Sequence, residues 1–274
     1  MSSLNAAGAS FPAKVYQSWF ADLAGSGGIK VNYQAVGSGS GRKAFIDGTV
    51  DFAASDDPIK EADRKQVSQG VVQIPMVGGT IAFGYNKPGC ELQLTQQQAV
   101  EVATGGISDW KELGCEAGTI TWVHRSDGSG TTKAFADSMQ AFSTDWTLGS
   151  GKSVKWPVGV GAKGNSGVAG VIDNRVGAIG YVNQSYIKGH VQAAAQACVS
   201  DEEKRFSPKQ IPGVIVKIKW SMAARNALSG SKSCVRFSSH MSMAFTSVSC
   251  CAISSSPVAA PKLKPGCDTP KSLN

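Results

Sequence analysis

Twice along this chain a β-branched, aromatic stretch runs through a glycine-and-serine turn straight into a helix-periodic segment. IKVNYQAV (29–36) leads into Gly37-Ser38-Gly39-Ser40-Gly41 and then a helix carrying Lys43, Phe45 and Ile46. TITWVHR (119–125) leads through DGSGTT into TKAFADSMQAF (132–142), with Phe135, Met139 and Phe142 on one face. Strands alternating with helices predict an α/β fold with parallel sheets, and such sheets take their ligands at the loops leaving the strand C-terminal ends. The remaining segments fit that frame. Ser10-Phe11-Pro12 opens a helix over 11–24, with Phe11, Val15, Trp19, Phe20 and Leu23 at helical spacing and Gly25 to Gly28 ending it. VDFAAS (50–55) reads as a strand that ends at Asp56-Asp57-Pro58, where a further helix opens. VVQIPMVGGTIAFGYN (71–86) gives two strand-like runs around Gly78-Gly79, where a crossover between two domains is expected. LTQQQAVEVAT (94–104) is a helix with Leu94, Ala99, Val100 and Val102 inward, and VGAIGYV (176–182) a buried strand.

The chain has 274 residues, 42% hydrophobic and 17% charged, enough for one large or two medium domains and too apolar for a disordered chain. No apolar run has the length of a membrane span, and Met1 leads into AAGASFPAKVYQ rather than a basic-then-apolar leader, so no export address is expected. The net charge of +7 suggests an acidic partner until it is located. Residues 198–274 carry 11 basic and 4 acidic side chains, whereas 1–197 hold 16 of each sign. The same C-terminal stretch holds fifteen serines and five of the seven cysteines (Cys198, Cys234, Cys250, Cys251, Cys267) and shows no sustained periodicity. Its basicity is therefore weak evidence for nucleic acid, and no nucleic-acid partner is expected. A disulfide-rich appendage, a basic partner-binding tail and translation from a shifted reading frame all compete to explain it. The abrupt change of composition near Gln196 favours the last.

Three segments share one design: Ser10-Phe11 before the first helix, Gly37 to Gly41 before the second, and Gly128-Ser129-Gly130-Thr131 before the helix at 132–142. Each offers hydroxyls and bare N–H groups at a helix N-terminus, where four donors are unpaired and the dipole is positive. One such segment alone reads as a capped helix behind a flexible turn; three spread over both halves describe an oxyanion site. Arg125 at a strand end can add a bidentate, charge-assisted contact, with Asp127 holding its guanidinium planar; a surface ion pair is the alternative. Asp56 is the odd member. A carboxylate among anion donors repels its guest unless the guest brings a proton, so it favours phosphate, protonated at neutral pH, over sulfate. Its other reading is helix capping beside Pro58, which Asp57 can do equally well.

Catalytic patterns are weaker. There is no G-x-S-x-G elbow, GSGTTK lacks the P-loop order, and GSGSG is a poor dinucleotide fingerprint. His124, His190 and His240 lack ligand-like spacing, so neither metal nor cofactor is expected, and His124 is read as structural. Cys90 and Cys115 are either a disulfide in an oxidising compartment or two buried thiols.

GASFPAKVYQSWF, VNYQAVGSGSG, VDFAASDDPI, HRSDGSGTTKAF, VKWPVGVGAKGNSGVAG and GAIGYVNQSY, in this order, resemble the periplasmic phosphate-binding proteins of high-affinity ABC phosphate transporters over about 5–196. The region around Cys90 and Cys115 looks like a cyanobacterial version. The resemblance implies a type II periplasmic-binding fold, two α/β domains with a cleft between them, and a monomer that binds inorganic phosphate and delivers it to an ABC permease without catalysis. It implies that Ser10 gives a hydroxyl, Phe11 an amide, Ser38 both, and that Asp56 accepts the phosphate proton. Arg125 would be the charged contact, Asp127 its support, and Ser129, Gly130 and Thr131 the donors of the second domain. Residues 1–76 are then the N-terminal part of domain I, 77–197 an incomplete domain II, and 198–274 an unmatched tail. Relatives return after GAIGYV to complete the first domain, and no such return is legible past 198. The first sheet would then lack strands, and poor folding or weak binding is expected. A serine-dependent phosphate-ester hydrolase using Ser38 or Ser129, and a sulfate or molybdate binder of the same fold, are the alternatives.

Overall fold

The computed structural model describes residues 2–196, 216–219 and 221–224. All belong to one compact unit, Met1–Ala227; the unit Leu228–Asn274 lies outside the described residues, and with it most of the unmatched tail and its competing explanations.

Two α/β lobes make up the described chain. In the first, β1 (Ser2–Gly8), α1 (Ala13–Gly27), β2 (Ile29–Gln34), α2 (Ser38–Ile46), β3 (Phe52–Ser55), the single turn α3 (Glu61–Arg64) and β4 (Val72–Ile74) follow one another. β1 pairs in parallel with β2 from Ser2 opposite Ile29 to Ala7 opposite Gln34, and with β3 from Ala6 opposite Phe52 to Gly8 opposite Ala54. Strand β1, short and alanine-rich, is not apparent from periodicity. The second lobe contains β5 (Gly78–Asn86), β6 (Gln93–Leu94), α4 (Gln96–Thr104), β7 (Thr121–Arg125), α5 (Gly130–Phe142), β8 (Val160–Ala162), α6 (Gly164–Asp173), β9 (Ala178–Asn183), β10 (Gln192–Ala193) and β11 (Ala195–Gln196). All six residues of β9 are buried, as expected of a strand covered on both faces. Trp122, Phe135 and Tyr181 pack beneath this sheet, Phe135 stacked on Tyr181 at 4.3 Å between ring centroids.

Several expectations are corrected. The sheets are mixed rather than parallel: β7 runs parallel to β8 and β9, but β5 is antiparallel to β9. The second and third glycines of GSGSG are not a loop, because α2 begins at Ser38; Gly37 alone turns, at φ 91°. Helix α1 starts after Pro12 with no side-chain cap, and Tyr16 rather than Phe11 centres its buried face, Phe11 being buried ahead of it. Neither Asp56 nor Asp57 caps α3, whose N-cap position is Lys60, so the capping alternative for Asp56 does not hold.

The missing return is also corrected. Strand β12 (Val216–Lys219) pairs antiparallel with β5, and β13 (Ser221–Ala224) enters the first sheet antiparallel between β3 and β4, giving the order β2-β1-β3-β13-β4. A four-residue strand satisfies the facing backbone groups of two neighbours whatever its side chains, so its pairing leaves little trace in residue type.

Candidate functional site

Every candidate segment leaves the C-terminal end of a parallel strand. Ser10 follows β1, Gly37 and Ser38 follow β2, Asp56 follows β3 and Asp127 to Thr131 follow β7; Gly164-Asn165, not among the candidates, likewise follow β8. The two lobes meet there. The Gly39 amide donates to the Gly128 carbonyl at 2.8 Å, and the Gly130 amide to Ser38 Oγ at 3.3 Å.

Asp56 lies at the junction. Ser38 Oγ donates to its Oδ1 at 2.9 Å from the first lobe and Thr131 Oγ1 to its Oδ2 at 3.0 Å from the second. Burial pushes its carboxyl up to about 6, even though the Ser38 hydroxyl, Arg125, the Thr131 hydroxyl and Lys152 all favour the charged form. Gly130 is required by this approach: a Cβ there would stand 2.5 Å from Asp56 Cβ and 2.8 Å from Ser38 Oγ.

Arg125 and Asp127 form a buried pair with side chains 1% and 10% exposed, which excludes the surface alternative. Arg125 Nε donates to Asp127 Oδ1 at 2.6 Å, and a second guanidinium nitrogen donates to Oδ2, the bidentate geometry that arginine favours. Asp127 also accepts the Gly164 amide at 3.0 Å. Burial works to raise the Asp127 carboxyl, but its contacts with Arg125 and the Gly164 amide prevail and hold it below the usual range. The Arg125 amide donates to Tyr181 Oη at 3.1 Å, and that hydroxyl shares a 2.7 Å bond with Thr132 Oγ1.

Ser10 is buried, and its Oγ accepts both the backbone and the side-chain amide of Asn165, each at 3.0 Å. With both lone pairs taken, only its proton remains to offer. Ser129 caps α5 by accepting the Thr132 amide at 3.1 Å, and its own amide is committed to the Lys152 carbonyl at 2.8 Å, leaving its hydroxyl proton. Phe11 is buried beside Ser10 in sequence, with its ring under Gly79.

Ser38, Asp56, Gly130 and Thr131 are thus joined directly, Arg125 with Asp127 forms a second group, and Ser10 reaches it through adjacent Gly164 and Asn165. Sequence reasoning missed Asn165 and Tyr181, which hold Ser10 and Arg125, and the Lys152–Asp57 ion pair at 3.2 Å. The only signals were an asparagine after glycine at a helix start and a tyrosine inside an apolar strand. His124 is structural as expected, half-buried and stacked on Trp156 at 5.3 Å, with burial holding its imidazole below the ordinary value. Cys90 and Cys115 are joined as a disulfide, and no His, Cys, Asp or Glu cluster suited to a metal occurs among the described residues.

Comparison with known proteins follows the same lines. A Haemophilus influenzae protein named phosphate-binding protein PstS is 41% identical over 201 residues, covering 68% of this chain and 59% of that protein. Its Pasteurella multocida namesake is 39% identical, with 68% and 58% covered. The chain therefore spans less than two thirds of the length of these relatives. Among solved structures, a high-affinity periplasmic phosphate-binding protein (PfluDING) bound with phosphate superposes with a TM-score of 0.68 at 19% identity, covering 82% of this chain and 80% of that one. A phosphate-binding protein from Stenotrophomonas maltophilia gives 0.65 at 19%, with 82% and 79% covered. At such identity these two share the fold. The profile of the PBP superfamily domain matches residues 1–230, taking in β12 and β13 as well as both lobes, and the chain belongs to that superfamily.

Proposed function

We propose that this chain captures inorganic phosphate between its lobes and hands it to the permease of an ABC transporter, working as a periplasmic monomer without catalysis. The observation that carries the reading is Asp56, a lone acceptor between hydroxyl donors of both lobes and close to the charge of Arg125. The names of the relatives agree with it. A phosphate entering the cleft would donate its proton to Asp56, releasing the hydroxyls of Ser38 and Thr131 to turn toward phosphate oxygens. Ser10, Ser129 and the unpaired guanidinium hydrogens of Arg125 would add donors, with amides of Phe11 and Ser38, and that of Gly130 once it gives up its bond to Ser38 Oγ, completing the shell. Asp127 would keep Arg125 planar and offset part of its charge. A disulfide at Cys90–Cys115 suits an oxidising compartment.

The hydrolase alternative needs a base beside Ser38 or Ser129. His124 bonds the Arg125 carbonyl and His190 faces Asp173, while His240 lies outside the described residues. A sulfate or molybdate binder would leave Asp56 facing a fully deprotonated guest. Calorimetric titration with phosphate and sulfate tests the reading. The strand whose absence implied weak binding is present as β13, so the expected result at pH 7 is micromolar or tighter phosphate binding and sulfate binding weaker by at least about a hundredfold, with Asp56→Asn strengthening the sulfate binding. Wild-type sulfate binding equal to phosphate would overturn it.

A further inference from the structure

Lys152 sits in the second lobe between α5 and β8, its Nζ shut off from solvent, with its carbonyl tied to the Ser129 amide at 2.8 Å. Its counter-charge comes from the other lobe: Asp57 Oδ2 at 3.2 Å, the two side chains 12% and 14% exposed. Asp57 directly follows Asp56 and lines the same small cavity as Arg42, which is itself paired with Asp63 at 3.2 Å. Asp57 thus shares a cavity with a cation of its own lobe but takes its ion-pair partner from the facing lobe. We infer that the Lys152–Asp57 pair is a latch across the cleft, a positioning device that holds the lobes together and sets how fast the cleft opens and its anion leaves.

The chemistry predicts an asymmetry. Opening the cleft hydrates both charges, so the pair's net contribution is modest while it is intact; removing one partner leaves the other buried and uncompensated. Loss of Asp57 leaves Lys152 facing Arg42, and burial together with Arg42 already works against the Lys152 charge. Loss of Lys152 leaves Asp57 in the cavity that the Arg42 cation also lines, a more tolerable arrangement. Asp57→Asn should therefore open the cleft more than Lys152→Gln does, and adding Lys152→Gln to Asp57→Asn should reverse part of its effect.

Amide hydrogen exchange in the full chain, without any anion, reads the latch through the inter-lobe amides of Gly39, Gly130 and Asn165. The expected acceleration is about tenfold for Asp57→Asn and about threefold for Lys152→Gln, with the double variant no faster than Lys152→Gln. Phosphate dissociation measured by stopped flow should accelerate in the same order, an arm that rests on the phosphate reading. Wild-type exchange rates in both single variants, or additive effects in the double variant, overturn the latch. Should Asp57→Asn not fold, Lys152→Gln alone decides by the same exchange readout. Accelerated exchange in a protein that binds no phosphate would reject the ligand and keep the latch; phosphate binding with unchanged exchange would do the reverse.

Discussion

Asp56 accepts one hydroxyl from each lobe, and burial still pushes its carboxyl up to about 6 from an ordinary 3.8. A folded-state pKa raised in this way adds stability that is complete below the ordinary value and lost as pH rises through about 6. Its full extent is up to about 3 kcal/mol. The anion-free protein should accordingly melt at lower temperature at pH 7 than at pH 5, with Asp56→Asn removing that part of the slope in a calorimetric scan. On the phosphate reading the same titration would govern selectivity. A protonated Asp56 becomes a donor, so sulfate affinity should rise about tenfold from pH 7 to pH 5, as the protonated fraction of a group titrating near 6 does. Flat sulfate binding over that range would separate Asp56 from anion choice. Ser10, Asp56 and Arg125 stand out in the sequence because hydroxyl, acid and cation beside glycine turns are chemically conspicuous. Asn165 and Tyr181 do not, because an asparagine in GNSG reads as a turn residue and a tyrosine in GAIGYV as core.

The first turns of α2 and α5 approach so closely that backbone takes the place of side chain. A Cβ on Gly130 would press into Asp56 and Ser38, and one on Gly37, already at φ 91°, would meet the Asp127 carboxylate. Gly130→Ala should weaken phosphate binding by at least tenfold, a cost of about 1.4 kcal/mol or more, while leaving the melting temperature within a few degrees of wild type. The reason is that the clash arises where the lobes meet rather than inside either sheet. Equal affinity in calorimetry would mean that the lobes need not approach this closely. Element identity was largely legible from period and turn chemistry, as at Ala99, Val100 and Val102 of α4, all buried. Strands β1 and β13 were not, since a short alanine-rich segment has no alternation to read and is held by its neighbours' backbone.

The proposed capture of an anion requires each lobe to keep its shape. In the second lobe Cys90 and Cys115 tie the segment after β5 to the loop before β7 across a sequence separation of 25 residues. Closing a loop of that length stabilises a chain by about 3 kcal/mol. Denaturant unfolding with and without a thiol reductant should therefore show a loss of that size, and a reduced protein as stable as the oxidised one would leave the bridge without a stabilising role. The charge balance of the first 197 residues, 16 of each sign, fits the proposed reading, in which attraction for an anion would come from a few aimed groups rather than from overall basicity.

Residue type and spacing were enough to indicate an α/β chain, which segments are helical though not where each helix begins, and a set of hydroxyl, amide and guanidinium groups with one acid among them. These are properties of neighbours a few positions apart, where glycine, hydroxyl and period act directly on the backbone. Which of these groups meet depends on partners 75 to 155 residues distant, as in Thr131 on Asp56 and Asn165 on Ser10. Strand order brings those groups together, and so does the insertion of β13 between β3 and β4. Strand order reflects backbone pairing and the burial of both sheet faces, which no local pattern of side chains encodes.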